Sequence, residues 1–222
     1  MANNLLDNLI YKSDKPTFST EVNPEMLKKL NNRQLETLSA VQTANQLFER
    51  MKLDNISDFM TNIVMQESKI GKDDEWSGSS GPSQIDPIRY EDLQEKASDG
   101  EQTTIDRANL ANEFLRLDSK HGKGFDILNL TNNERRDPMI NSLLTRMSLA
   151  TIPKSIPSNL SEQAVYWKNE WNTKAGKGKP EEFINQVQYY NSILGNKTHD
   201  GTPLQETKID DKGNYKINEK GR

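Results

Sequence analysis

Cysteine is absent from the 222 residues, so disulfides and thiolate metal sites are closed to this chain. The two histidines, His121 and His199, stand apart and cannot form a cluster. No other metal-ligand spacing is visible, so neither a metal nor a cofactor is expected. Apolar material is scarce: 32% of residues are hydrophobic, 7% are aromatic, and the mean hydropathy is -0.89. Part of the chain is therefore expected to pack little, with poorly ordered ends. No apolar run approaches the length of a bilayer span, which argues against an integral membrane segment. A basic excess is missing too. With a net charge of -4 and a pI near 5.4, the chain has no global field for polyphosphate, and nucleic acid is not expected as a partner. Residues 1–11 have no cationic stretch ahead of their apolar cluster, so a secretory leader is not expected.

What is present is helical periodicity. After Asn23-Pro24, which suits a helix start, Leu27, Leu30, Leu35, Leu38, Val41, Phe48 and Met51 recur at helical spacing, as one long or two short amphipathic helices. From near Asp54, Ile56, Phe59, Met60, Ile63 and Val64 form a core-facing stripe, and Glu67 falls next on it. A carboxylate where the pattern calls for Leu or Ile is a local inconsistency of the kind found at functional sites. Residues 71–80 are a loop of turn formers. Residues 88–136 are charged and hold one helix carrying Ile105, Ala108, Ala111, Phe114 and Leu115.

Asp137-Pro138 restarts helical spacing with Ile140, Leu143, Leu144 and Met147, and a connector containing Pro153 and Pro157 ends it. A helix from Ser161 runs through Tyr166, Trp167 and Trp171. A glycine-rich turn follows, then a last helix over residues 181–194 with Phe183, Ile184, Val187 and Tyr190. Beyond Gly195 the chain is polar, with a weak hairpin signal at Lys212-Gly213-Asn214, and is read as a disordered tail. There is no fixed-period repeat. The Gly-Lys stretch at residues 175–180 lacks the spacing and preceding strand of a phosphate loop.

Glu67-Ser68, followed by Gly81-Pro82-Ser83-Gln84-Ile85-Asp86-Pro87, resembles the soluble lytic transglycosylases of the goose-type lysozyme superfamily, in which a Glu-Ser pair precedes a Gly-Leu-Met-Gln-(Ile/Leu)-x-Pro turn. Asp137-Pro138-Met139-Ile140-Asn141 is similar to that family's Asp-Pro-x-x-Asn helix start. Trp171-Asn172-Thr173-Lys174-Ala175-Gly176 is similar to a diverged Tyr-Asn-Ala-Gly segment. The four segments occur in the family's order, across about residues 54–194. Pro82-Ser83 in place of Leu-Met, Trp171 in place of Tyr with two extra residues before the glycine, and the long spacer at residues 88–136 depart from the pattern.

The resemblance implies a mainly α, lysozyme-like domain over residues 53–195 with an insertion at about 88–136. An N-terminal helical extension (1–52) would precede it and a flexible C-terminal tail (196–222) would follow. It implies Glu67 as the single catalytic acid and base. Ser68, Ser83, Gln84, Ile85, Trp171 and Asn172 would bind substrate. That substrate would be the peptidoglycan glycan strand, cut between N-acetylmuramic acid and N-acetylglucosamine with a 1,6-anhydro product. A single carboxyl suffices where the sugar's own acetamido group assists. Without a leader, delivery in a phage virion to the bacterial cell wall is the expected setting, with other virion proteins as partners. Two alternatives stay open: a hydrolytic lysozyme, with Asp73, Asp74 or Glu75 positioning water and Trp76 stacking on a sugar, and a non-catalytic virion protein of the same fold.

Overall fold

The structure is a computed structural model, and it describes residues 28–73, 81–117, 124–172 and 176–194 together with the backbone of 208–209 and 215–216. The chain is mainly helical. Its described residues divide into two units, one over residues 32–154 and the other over residues 28–31 and 155–194 with the strand residues. The boundaries fall at 31/32 and 154/155, whereas the sequence suggests an extension ending at residue 52.

The first unit contains α1 (Asn32–Glu49), α2 (Ser57–Ser68), α3 (Pro87–Ser98), α4 (Gln102–Leu117), a 3-10 turn (Glu134–Arg136) and α5 (Pro138–Leu149). α5 is the hub: it packs most extensively on α1 and also touches α2, α3, α4 and the 3-10 turn. Every residue of α5 except Met139 is buried. Asp137 starts it, its carboxylate accepting from the Met139 and Ile140 amides at 2.9 and 3.3 Å, with Pro138 in the first turn where no amide is needed.

α1 belongs to this core and is not an appendage. Leu38, Val41, Ala44, Leu47 and Phe48 are buried, but so are Gln34, Thr37 and Asn45, while Leu35 is only half-buried. The polar positions turn inward because each has a backbone partner there. Gln34 Nε2 donates to Lys69 O at 2.9 Å, Thr37 Oγ1 to Arg33 O at 2.9 Å, and Asn45 Oδ1 accepts from Ile56 N at 3.1 Å, holding the entry to α2. The described part of α1's segment becomes helical at Asn32. The proposed start at Asn23-Pro24 lies outside the described residues, as do residues 1–22.

On α2, Phe59, Met60, Ile63 and Val64 are buried, as the stripe predicts; Met65 is buried as well, and Ile56 is half-buried just ahead of the helix. The segment 88–136 holds two helices where the sequence suggests one. α3 is the addition; Asp86 caps it, accepting from Arg89 N at 2.7 Å, and only Tyr90 and Leu93 are buried. So few inward residues leave a weak periodic signal, which explains why α3 is hard to read from the chain.

The second unit contains α6 (Leu160–Tyr166), a π turn (Trp167–Trp171) and α7 (Pro180–Leu194), with α6 packed on α7. Asn159 caps α6, accepting from Glu162 N at 2.9 Å. The Trp167 ring lies 5.1 Å from that of Phe183, and a Cβ at Gly178 would come within 2.5 Å of Trp167, so the glycine-rich turn can pass over the indole only without a side chain there. Phe183, Val187, Tyr190 and Leu194 are buried, and Ile184 is half-buried. Strands β1 (Lys208–Ile209) and β2 (Tyr215–Lys216) pair antiparallel on either side of the Lys212-Gly213-Asn214 turn signal. The remainder of 195–222, on which the disordered-tail expectation falls, lies outside the described residues. Among the described residues no helix is long and apolar enough to cross a membrane.

Arg146 is the costly member of α5. It is 4% exposed and donates through Nη2 to Asp54 O at 2.8 Å, while its Nε has no partner among the described residues. Burial, and then the neighbouring charge of Arg107, push its pKa down to about 10. Removing a poorly compensated buried charge is neutral or stabilising when an apolar side chain of similar volume takes its place. Arg146→Met is therefore expected to match or exceed the wild-type protein in a urea titration. A loss above about 1 kcal/mol would show that the Asp54 contact outweighs the desolvation of the guanidinium.

Candidate active site

α2 ends in an unusual way. Lys69, Ile70 and Gly71 take successive positive φ values of 54°, 62° and 77°. For Ile, which is β-branched, this is a strained conformation costing on the order of 1–3 kcal/mol. Local contacts hold it. Ile70 is fully buried, its amide donates to Val64 O at 2.8 Å, and Asp73 N returns to Ser68 O at 2.9 Å. Gly71 has no alternative, because a Cβ would sit 2.5 Å from Thr37 Oγ1.

Ser68 ties this reversal to the second segment. Its buried Oγ donates to Pro82 O at 2.6 Å, with Val64 O at 3.2 Å as the longer alternative, and accepts from Gly71 N at 2.6 Å. One hydroxyl thus joins the end of α2 to residues fourteen positions on. Its observed work is structural.

The 81–87 turn is clamped from its other side by α5. Asn141 Oδ1 accepts from Ser83 N at 2.8 Å, and Asn141 Nδ2 donates to Arg135 O at 3.1 Å. A Cβ on Gly81 (φ 70°) would meet Asn141 Nδ2 at 2.5 Å and Arg135 O at 2.9 Å. Gly81, Pro82, Ser83 and Ile85 are all buried. Gln84, at φ 51°, folds back so that its Nε2 donates to Gly81 O at 2.8 Å. Its Oε1 has no hydrogen-bond partner among the described residues. A shielded acceptor without a donor is unfavourable by about 1–3 kcal/mol, so a donor is what this position lacks.

Glu67, on the last turn of α2, is half-buried, so helix periodicity places it at the margin of the core. Lys69 Nζ pairs with Asp73 Oδ2 at 2.5 Å at the helix end. Asp74, Glu75 and Trp76, candidates for water positioning and sugar stacking, lie outside the described residues. Three of the four sequence segments, 67–68, 81–87 and 137–141, therefore meet in one hydrogen-bonded corner.

The fourth segment belongs to the second unit. Trp171 is buried at the end of the π turn, and Asn172 N donates to Trp167 O at 2.8 Å, the i to i−5 spacing of that turn. Asn172 is half-buried and its Oδ1 accepts from Lys168 Nζ at 3.0 Å; Lys168 also reaches Gly176 O at 2.7 Å. A Cβ at Gly176 would fall 2.2 Å from Asn172 Oδ1. The segment's asparagine and glycine are thus in direct contact, and a side chain at Gly176 would displace Asn172.

Sequence reasoning passed over Asn141 as a functional position, although it is the residue that holds the turn. Its signal is its place in the Asp137-Pro138-Met139-Ile140-Asn141 segment, on a helix whose side chains are almost all buried. It passed over the Arg135 and Tyr90 pair as well. The guanidinium of Arg135 lies 4.3 Å above the Tyr90 ring, and Tyr90 Oη accepts from Leu130 N at 2.8 Å and donates to Ile127 O at 3.2 Å. Burial raises the Tyr90 pKa, so the phenol stays neutral and keeps both bonds.

Comparison with protein-family models, with curated proteins and with solved structures found no match for this chain.

Ser68→Ala deletes a hydroxyl that serves two segments of this corner, and leaves Pro82 O and Gly71 N without it. A loss of about 1–3 kcal/mol in chemical denaturation is expected. A loss below about 0.5 kcal/mol would mean that the turn is held by Asn141 alone.

Proposed function

We propose that the first unit is a lysozyme-like catalytic domain that cleaves the glycan strands of peptidoglycan in the manner of soluble lytic transglycosylases. The observation that carries this reading is the corner itself. Segments 67–68, 81–87 and 137–141, singled out by resemblance while far apart in the chain, are hydrogen-bonded to one another through Ser68 and Asn141. Three positive-φ residues outside glycine, Lys69, Ile70 and Gln84, border the same corner, and strain of this kind concentrates at functional sites.

In this reading Glu67 enters as the neutral acid. Its proton passes to the oxygen bridging C1 of N-acetylmuramic acid and C4 of N-acetylglucosamine. The C1–O bond breaks, and the acetamido group of the muramic sugar stabilises the cationic centre. The Glu67 carboxylate then removes the proton of the C6 hydroxyl as O6 closes on C1, which forms the 1,6-anhydro sugar and regenerates the acid. The unsatisfied Gln84 Oε1 accepts from a substrate amide or hydroxyl. Ser68 acts by holding the turn. Trp171 and Asn172 remain substrate-binding candidates carried by the second unit.

Replacing Glu67 by Gln preserves size and hydrogen bonding but removes the titrating proton. Release of soluble muropeptides from purified cell walls is expected to fall at least about 100-fold, the scale of lost general acid–base catalysis. Mass spectra of wild-type digests are expected to show anhydro-muramic ends. Reducing ends alone would replace transglycosylation with hydrolysis, and unchanged wall clearing by the Gln variant would remove Glu67 from the chemistry.

A further inference from the structure

The segment 88–136, the long spacer that departs from the family pattern, closes a circuit of contacts on the Glu67 corner. The 81–87 turn runs directly into α3, and α3 grips residues 127–130 with two side chains one helical turn apart. Tyr90 Oη accepts from Leu130 N at 2.8 Å and donates to Ile127 O at 3.2 Å, and Gln94 Nε2 donates to Leu128 O at 2.7 Å. Thr131 N and Oγ1 then donate to Glu134 Oε2 at 2.8 and 2.7 Å, which fixes the start of the 3-10 turn. At its end Arg33 Nη2, from α1, donates to Arg136 O at 2.5 Å. Between these ties lies Arg135, whose guanidinium is 4.3 Å above the Tyr90 ring and whose carbonyl accepts from Asn141 Nδ2 at 3.1 Å. Asn141 Oδ1 accepts from Ser83 N at 2.8 Å, back in the turn where the circuit began.

Arg135 is a costly residue for that place. It is 8% exposed, its Nε and Nη1 are shielded and have no hydrogen-bond partner, and its Nη2 reaches Asn132 Oδ1 at 3.5 Å. It forms no ion pair among the described residues. Stability alone would be served as well by an apolar side chain of similar volume. An anion from outside does not explain the charge either, because the two unpartnered nitrogens are cut off from solvent. What the guanidinium supplies is a flat cation seated on an aromatic face, an attraction of about 2 kcal/mol when desolvated. That seat fixes the height of the Arg135 backbone and hence of its carbonyl.

The carbonyl, the Asn141 amide and the turn leave each other no slack. A Cβ on Gly81 would come within 2.5 Å of Asn141 Nδ2 and 2.9 Å of Arg135 O, so a shift of the 3-10 turn is passed to residues 81–84 and is not absorbed between them. We propose that Tyr90 and Arg135 are positioning residues for the Glu67 corner: through Asn141 they set the place of the Ser83 amide, and with it Gln84, which makes the 88–136 segment a buttress of the site. A misplacement of about 1 Å at a reacting centre costs on the order of 100-fold in rate, so a partial loosening is felt in turnover. The effect on rate rests on the transglycosylase reading above, whereas the effect on the Ser83 amide does not.

Two variants of the full chain test this. Tyr90→Phe keeps the ring under the guanidinium but drops both hydrogen bonds of the phenol, and Arg135→Met keeps the volume but drops the flat cation. In each, the Ser83 amide is expected to exchange with deuterium about tenfold faster when measured against the slowest amides of α5, which report global opening. The kcat for release of soluble muropeptides, per folded molecule, is expected to fall about tenfold with KM changed less than about twofold. Arg135→Met should do so with a melting temperature within about 4 °C of the wild type, the scale of 1 kcal/mol. Wild-type relative exchange at Ser83 in either variant would overturn the proposal. So would a lowered melting temperature with kcat unchanged, the mark of a purely structural role. A wild-type protein that releases no muropeptides would defeat the catalytic reading alone, and Ser83 exchange would still decide whether the buttress sets the turn.

Discussion

The first unit depends on one buried hydroxyl. Ser68 Oγ, 2.6 Å from both Pro82 O and Gly71 N, joins the end of α2 to a turn that follows a loop. α2 stops abruptly one residue past Glu67, and the stop requires a left-handed run that Ile70 would not adopt in isolation. The hydrogen bonds around Ser68, the complete burial of Ile70 and the absence of a side chain at Gly71 offset that strain together. Because the contacts share neighbours, they are expected to act as a unit and not additively.

The partner to this tie is α5, a helix with no solvent face and several polar side chains. Burial of Asn141, Ser142, Thr145, Arg146 and Ser148 is unfavourable unless their groups are engaged. Asn141 and Thr145 meet this demand with backbone bonds; Asn141 spends both ends of its amide, one on the turn and one on Arg135 O. Asn141 thus fastens the turn, while the Ser142 and Ser148 hydroxyls have no hydrogen-bond partner among the described residues; α1 follows the logic of Asn141 with Gln34 and Asn45. A core held partly by specific amide contacts defines the register of its helices more sharply than apolar packing alone.

At the Glu67 corner the backbone is strained and the acceptor on Gln84 is shielded, so the position that the fold leaves unsatisfied is one that takes a hydrogen-bond donor.

Helices were legible where inward residues are dense. Phe59, Met60, Ile63 and Val64 on α2, the Asp137-Pro138 start of α5, and Phe183, Val187 and Tyr190 on α7 all lie as the spacing predicts. α3 was not legible, since two buried residues set no clear period. The sequence by itself determined most helix positions, the start at Asp137, and the segments that form the corner, because propensity, capping and periodicity act over a few residues. Only the tertiary structure decided that α1 belongs to the core, that Asn141 clamps the turn and that Ser68 bridges two segments. Those outcomes depend on hydrogen bonds between residues far apart in the chain, whose partners no local pattern can name.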